Sequence, residues 1–124
     1  MFDNINKPKG LHRVYLAALN SLRAFKWLYA NESAFRQELL LLIIAIPLSF
    51  VFDISFKEQV ILVLAILFVI FTEIINTAIE AVVDRVGLEI HPLSGLAKDL
   101  GSAAVMISLI VASSIWLIIL LYCS

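Results

Sequence analysis

Cysteine occurs once, at position 123, so no disulfide can form within the chain. Histidine occurs twice, at 12 and 91. With one cysteine, that leaves too few soft or imidazole ligands for a zinc site. The four glycines, at 10, 87, 95 and 101, build no glycine-rich loop ending in Gly-Lys-Ser or Gly-Lys-Thr, and no protein-kinase signature is present. Charge is scarce as well, at 15% of residues with a net value of −1. No basic cluster is long enough to track a phosphate backbone, so nucleic acid is not an expected partner. The segment before residue 31 carries scattered charges and has no compact apolar core ahead of a small-residue cleavage site. It is therefore not expected to be a cleavable signal peptide.

What the chain has in abundance is apolar surface. Its hydrophobic fraction is 62% and its mean hydropathy +1.01, against about 45–50% apolar residues in a soluble domain. A chain of 124 residues cannot bury that much inside itself. An all-α membrane protein is expected, with residues 1–124 forming a single membrane domain. Three transmembrane helices are read at about 34–52, 58–86 and 97–122. The first, built on "LLLLIIAIPLSFVF", is short of the roughly 20 residues a span needs. It must extend back through "SAFRQE", which takes Arg36 and Glu38 into the interface, and Pro47 is placed to kink it. The turn 53–58 and the loop "GLEIHPLSG", punctuated by Gly87, Pro92 and Gly95, separate the spans.

Residues 13–30, "RVYLAALNSLRAFKWLYA", have a different pattern. Val14, Ala18, Leu22, Phe25 and Tyr29 share one side of a helix, while Arg13, Asn20 and Arg23 share another. Tyr15, Trp27 and Tyr29 suit the headgroup layer. This is read as an amphipathic helix lying on the membrane surface.

Basic residues set the orientation. Lys7, Lys9, Arg13, Arg23, Lys26 and Arg36 precede the first span, Arg85 and Lys98 bracket the second loop, and Lys57 alone is in the first loop. The N-terminus and second loop are therefore expected on the cytoplasmic side. In the third span Ala104, Ser108 and Ala112 recur every four residues, a spacing that lets helices approach closely in lipid. Three spans barely enclose a polar site, so a homo-oligomer is expected.

The chemistry is concentrated in one stretch. Twelve apolar residues, Val60 to Phe71, run into "EIINTAIEAVVDR". Glu73, Asn76, Glu80 and Asp84 fall within an arc of about 80° at 3.6 residues per turn. They make one stripe along the helix, opposite Ile74, Ile75 and Val82. An ionised Glu73 facing lipid would cost about 2.5–3.5 kcal/mol on the lenient insertion scale, so it needs an interior or a wet cavity. Asn76 and Thr77 can hydrogen-bond it or a helix partner. Glu80 or Asp84 can pair with Lys98 or Arg85 in a purely structural ion pair. Three chemistries stay open for the stripe: a proton or cation relay, a general base facing an alcohol or amine in the membrane, and divalent metal binding by Glu80 with a second carboxylate such as Glu32. A polar glue between spans, with no chemistry at all, competes with these.

Three segments narrow the choice. "NESAFRQE", "EIINTAIEAVVDRVG" and "HPLSGLAKDLGSAAV" together resemble the bacterial integral-membrane diacylglycerol kinase family, over roughly Arg13 to Trp116. The resemblance implies a homotrimer, each chain having an N-terminal surface helix and three spans, at the bacterial inner membrane. It implies transfer of the γ-phosphoryl of MgATP to the hydroxyl of diacylglycerol. On that resemblance Glu73 is the general base for the lipid hydroxyl and Asn76 a neighbour that orients the site. Glu32 and Glu80 hold the magnesium. Lys98 and Asp99 contact the nucleotide, and Glu89, Ile90 and His91 lie over its adenine and ribose. Arg13, Ala18 and Ser21 line the lipid and nucleotide entrance, and Ser102 lies near the substrate. The site is shared between subunits.

The family has a second branch, acting on undecaprenol, and "SAFRQE" and the long second-loop segment look like the diacylglycerol branch. Leu16 and Leu22 depart from the pattern, which has a lysine and a tryptophan there. The competing reading from another class is a non-enzymatic oligomeric channel or proton relay. Its path would have to continue into a third span that carries no charge after Asp99.

Overall fold

The computed structural model describes residues 9–122, which form four α-helices. These are α1 (Gly10–Asn31), α2 (Ser33–Ser49), α3 (Phe56–Val86) and α4 (Pro92–Tyr122). No strand occurs among the described residues. Lys7, Cys123 and the start of the segment read as lacking a cleavable signal lie outside them. The chain divides into two compact units after Arg36.

In the first unit, α1 contains the helix expected at 13–30 and extends it at both ends. Val14, Leu22, Phe25, Trp27 and Tyr29 are all exposed, and Leu28 is buried. The helix stops because Glu32 turns extended, at φ −114°, ψ 109°, while its N–H still bonds Leu28 O at 2.8 Å. Last-turn carbonyls that lack a helical partner find side chains instead. Asn31 Nδ2 donates to Trp27 O at 2.9 Å and Arg36 Nη1 to Tyr29 O at 2.8 Å. The rings of Phe25 and Phe35 stack with centroids 6.4 Å apart.

The second unit holds most of α2 with α3 and α4. Here the helix limits differ from those expected. The first span was read to residue 52, but α2 ends at Ser49 after 17 residues, a rise of about 26 Å. Pro47 has no N–H and crowds the preceding turn. Beyond it the backbone tightens into three-residue turns, with Phe50 N bonding Pro47 O at 3.1 Å and Val51 N bonding Leu48 O at 3.0 Å. Among the described residues, two helices are long and apolar enough to cross a membrane, α3 and α4.

The start of α3 precedes the expected Glu58 because Ser55 and Glu58 form a capping box. Glu58 N donates to Ser55 Oγ at 3.2 Å, and Ser55 N to Glu58 Oε1 at 3.0 Å. The start of α4 corrects the reading of the second loop. Pro92 and Gly95, taken as loop residues, belong to the helix. Proline suits the first helical position, where its missing N–H would be unpaired anyway. His91 Nδ1 then accepts from Leu93 N at 3.1 Å, and Gly95 N closes the first turn on His91 O at 3.0 Å.

α3 and α4 pack along a seam. Ala65, Val69 and Ala112 form its apolar core, with Ile115 and Trp116 against them. Three side chains pair their polar groups within the seam. Thr72 Oγ1 and Ser108 Oγ lie 2.8 Å apart, and each is also within bonding reach of a carbonyl on its own helix, Val69 O and Val105 O. Trp116 Nε1 donates to Leu62 O at 3.1 Å. Of the small residues expected to face a partner helix, Ser108 and Ala112 are buried but Ala104 is exposed. A four-residue step drifts by about 40°, so eight residues carry Ala104 out of line. Gly101, seven residues before Ser108, takes its place in the seam. The outer faces show large apolar side chains, among them Ile43, Phe71, Met106 and Leu117.

Thr72→Val and Ser108→Ala should each lower resistance to unfolding in detergent by about 1 kcal/mol. The double replacement should cost less than the sum, since either change breaks the same pair. Strict additivity in denaturant titration would show that the hydroxyls do not act together.

Candidate active site

The stripe expected on α3 is present, and it runs beside α4. Asn76 is buried in the seam, Glu73 is partly buried, and Glu80 and Asp84 are exposed. From Glu73 to Asp84 the stripe rises about 16 Å. Asn76 Nδ2 donates to Glu80 Oε1 at 2.9 Å, one helical turn on. Thr77 Oγ1 donates to the backbone carbonyl of Glu73 at 2.9 Å. The sequence offers both groups as partners for Glu73 or a neighbouring helix; the amide nitrogen bonds Glu80 and the hydroxyl bonds the backbone of their own helix. Asp84, the carboxylate with no assigned task, makes the ion pair considered for it: Lys98 Nζ lies 2.9 Å from its Oδ1. Both side chains are about half exposed, 45% and 50%.

Where α3 gives way to α4, a cavity of about 250 Å³ opens. Glu89, Ile90, His91 and Lys98 line it together with Asp84 and Ser94. The loop residues are exposed, Ile90 completely so. The loop thus brings together four of the residues expected at a nucleotide and adds Asp84 of the stripe and Ser94, which the sequence does not single out. Asp99 and Ser102 are exposed on α4, away from that lining.

A second cavity, about 290 Å³ and almost wholly apolar, lies among α2, α3 and α4. Its lining includes Leu41, Ile44, Val69, Leu109, Trp116 and one acid, Glu38. Glu38 Oε1 is buried without a hydrogen-bond partner among the described residues. Sequence reasoning sent Glu38 to the interface and gave it no role. The available signal was its position as the last charge before the run "LLLLIIAI".

In the first unit, Arg13, Ala18 and Ser21 are exposed on α1, with Ser21 Oγ bonded to Ala17 O at 2.9 Å. Glu32, partly buried, is the single extended residue between α1 and α2.

Comparison with known proteins shows the family. A family model described as prokaryotic diacylglycerol kinase matches residues 19–120. The chain belongs to this family. It is similar to the diacylglycerol kinase of Escherichia coli strain K12, 44% identical over 115 residues that cover 93% of this chain and 94% of the relative. The diacylglycerol kinase of Pseudomonas aeruginosa strain PAO1 is 45% identical, covering 90% and 91%. That of Haemophilus influenzae strain Rd is 41% identical, covering 89% and 93%.

For a diacylglycerol kinase, the donor set on α3 suits a hard cation. Carboxylate oxygens are magnesium ligands, and magnesium is normally held by one or two carboxylates plus substrate phosphates rather than by an all-protein cage. In keeping with that, no three His, Cys, Asp or Glu side chains gather into a cage among the described residues. Glu80 offers an exposed carboxylate with one oxygen held by Asn76.

The Lys98–Asp84 pair is exposed, and such pairs contribute about 0–1 kcal/mol after screening. Asp84→Asn should therefore change thermal stability by no more than about 1 kcal/mol. A loss several times larger in a melting experiment would make the pair a structural lock.

Proposed function

We propose that the chain is an ATP-dependent diacylglycerol kinase, moving the γ-phosphoryl of ATP to the primary hydroxyl of diacylglycerol and leaving phosphatidate and ADP. The observation that carries the reading is the α3 stripe lying against α4, in a chain that matches the family over residues 19–120. Phosphoryl transfer asks mainly for positioning and charge neutralisation, and the stripe divides those tasks along its length.

Glu73, the carboxylate nearest the apolar run, takes the proton from the lipid hydroxyl. The freed oxygen forms its bond to the γ-phosphorus as the bond to the β,γ-bridging oxygen breaks, and ADP leaves. Asn76 holds Glu80, and Glu80 with Glu32 holds magnesium at the nucleotide phosphates. When bound, magnesium supplies neutralising charge to those phosphates. Lys98 adds a positive charge there, exchanging Asp84 for a phosphate oxygen, and Asp99 is a further nucleotide contact. Glu89, Ile90 and His91 lie over the adenine and ribose. Arg13, Ala18 and Ser21 line the entrance, and Ser102 lies near the lipid.

In the membrane, the chain acts as one domain with three spans. The 17 helical residues of α2, continued by Phe50, Val51 and Phe52, make the first, while α3 and α4 make the others. α1 lies on the bilayer surface, which its exposed Leu22, Phe25 and Trp27 support. The N-terminus and the α3–α4 loop face the cytoplasm at the inner membrane, where ATP is available. The working form is a homotrimer, so Glu32 and Glu73 of one site can come from different chains. A proton relay fits less well, because no charged residue follows Asp99 along α4.

Radiolabelled ATP offered with diacylglycerol and undecaprenol side by side should label diacylglycerol. Labelling of undecaprenol alone would move the chain to the other branch, and labelling of neither lipid would sink the kinase reading. Glu73→Gln should cut turnover by about 10²- to 10⁴-fold, the usual worth of a general base; full turnover would remove Glu73 from that role. Glu80→Gln should raise the magnesium needed for half-maximal rate, and an unchanged magnesium titration would count against its assignment.

A further inference from the structure

Three of the four glycines, Gly10, Gly87 and Gly95, have open space where a Cβ would stand. Gly101 does not. It is buried in the α3–α4 seam, and a Cβ there would overlap Asn76 Oδ1, with Asn76 Cγ 3.2 Å and Ile79 Cδ1 3.6 Å away. The space that a side chain would take is filled by the amide oxygen of Asn76.

That amide has two ends with different neighbours. Its nitrogen donates to Glu80 Oε1 at 2.9 Å, while its oxygen is buried with no hydrogen-bond partner among the described residues. A carboxylate attracts the NH2 end and repels the carbonyl end. With the nitrogen committed to Glu80, the oxygen has to point into α4. A side chain at 101 would push that oxygen out, and because the amide is rigid the nitrogen would swing away from Glu80.

We propose that Gly101 is a positioning residue for the reaction: by presenting no Cβ, it seats the Asn76 amide, and Asn76 in turn holds Glu80 in place. The proposal rests on the assignment of Glu80 to the nucleotide-bound magnesium. It also separates Gly101 from mere close packing, which would affect stability and leave the magnesium response alone.

The test measures, on the full chain in lipid bilayers, the magnesium concentration for half-maximal binding of a non-hydrolysable ATP analogue, and the KM for diacylglycerol where turnover remains. Gly101→Ala should raise the half-maximal magnesium about tenfold, as expected for losing one hydrogen bond to a charged group. The KM for diacylglycerol should stay within about twofold, since no lipid contact is altered. Asn76→Ala should do the same, and Gly101→Ala added to Asn76→Ala should change nothing further, because the room then exists and the bond is already gone. An unchanged magnesium response in Gly101→Ala, or a further shift in the double variant, would overturn the proposal. If Gly101→Ala fails to fold, the comparison of Asn76→Ala with the double variant decides by the same criterion. Glu80→Gln separates the two levels. If it shifts magnesium and Gly101→Ala does not, only this inference fails. If it leaves magnesium unchanged, the Glu80 assignment fails and the inference with it.

Discussion

In hydrocarbon a hydroxyl, indole or amide has no water to turn to, so each polar group in the α3–α4 seam must find its partner on the other helix or its own. The chain meets this constraint at successive levels, with the Asn76 oxygen as the exception. Near one end, Trp116 reaches the Leu62 carbonyl. In the middle, Thr72 and Ser108 bond each other. Toward the stripe, Asn76 turns its nitrogen to Glu80 and its oxygen into the gap at Gly101. Each of these contacts fixes the register of α3 against α4, and the stripe is only as well placed as that register.

The contacts become weaker and more exchangeable toward the loop. Thr72 and Ser108 are buried, where their hydroxyls have only each other and the carbonyls of their own helices as partners. Asn76 is buried but its partner Glu80 is exposed. Asp84 and Lys98 are both half exposed, and water can take either one's place. A kinase needs such a gradient: a rigid base to carry the geometry and a loose end where a nucleotide can enter, bind and leave.

The stripe was legible because helical periodicity is read directly from spacing, while the cap that Ser55 and Glu58 form ahead of it was read as a turn. Misreadings arose where a residue has two uses. Pro92 was taken as punctuation, yet proline is also a favoured first residue of a helix, and the His91 side chain at the N–H of Leu93 marks it as one. Pro47 was expected to kink the first apolar helix, but α2 ends only two residues later. Contacts across the seam were illegible for another reason. The 24 residues between Asn76 and Gly101 do not reveal that one fills the other's missing side chain. Similarly, Ala104, Ser108 and Ala112 looked equivalent by spacing, and only the drift of the helix separates the exposed alanine from its buried companions.

On the proposed reading magnesium would be held by one or two carboxylates beside the nucleotide phosphates, and the α3 stripe would offer it Glu80. Along the stripe the carboxylate after Glu80 is Asp84, already facing Lys98. Glu73 lies about two turns the other way, beyond the reach of an ion held at Glu80. On the proposed reading a second protein donor would come from another element, and Glu32 would be suited to that by its backbone. It is the one extended residue between two helices, so its carboxylate is free of the helical spacing that binds the stripe together. On the proposed reading this is why the site can be shared between chains: the helix would supply one ligand, while a junction residue from elsewhere would supply the other.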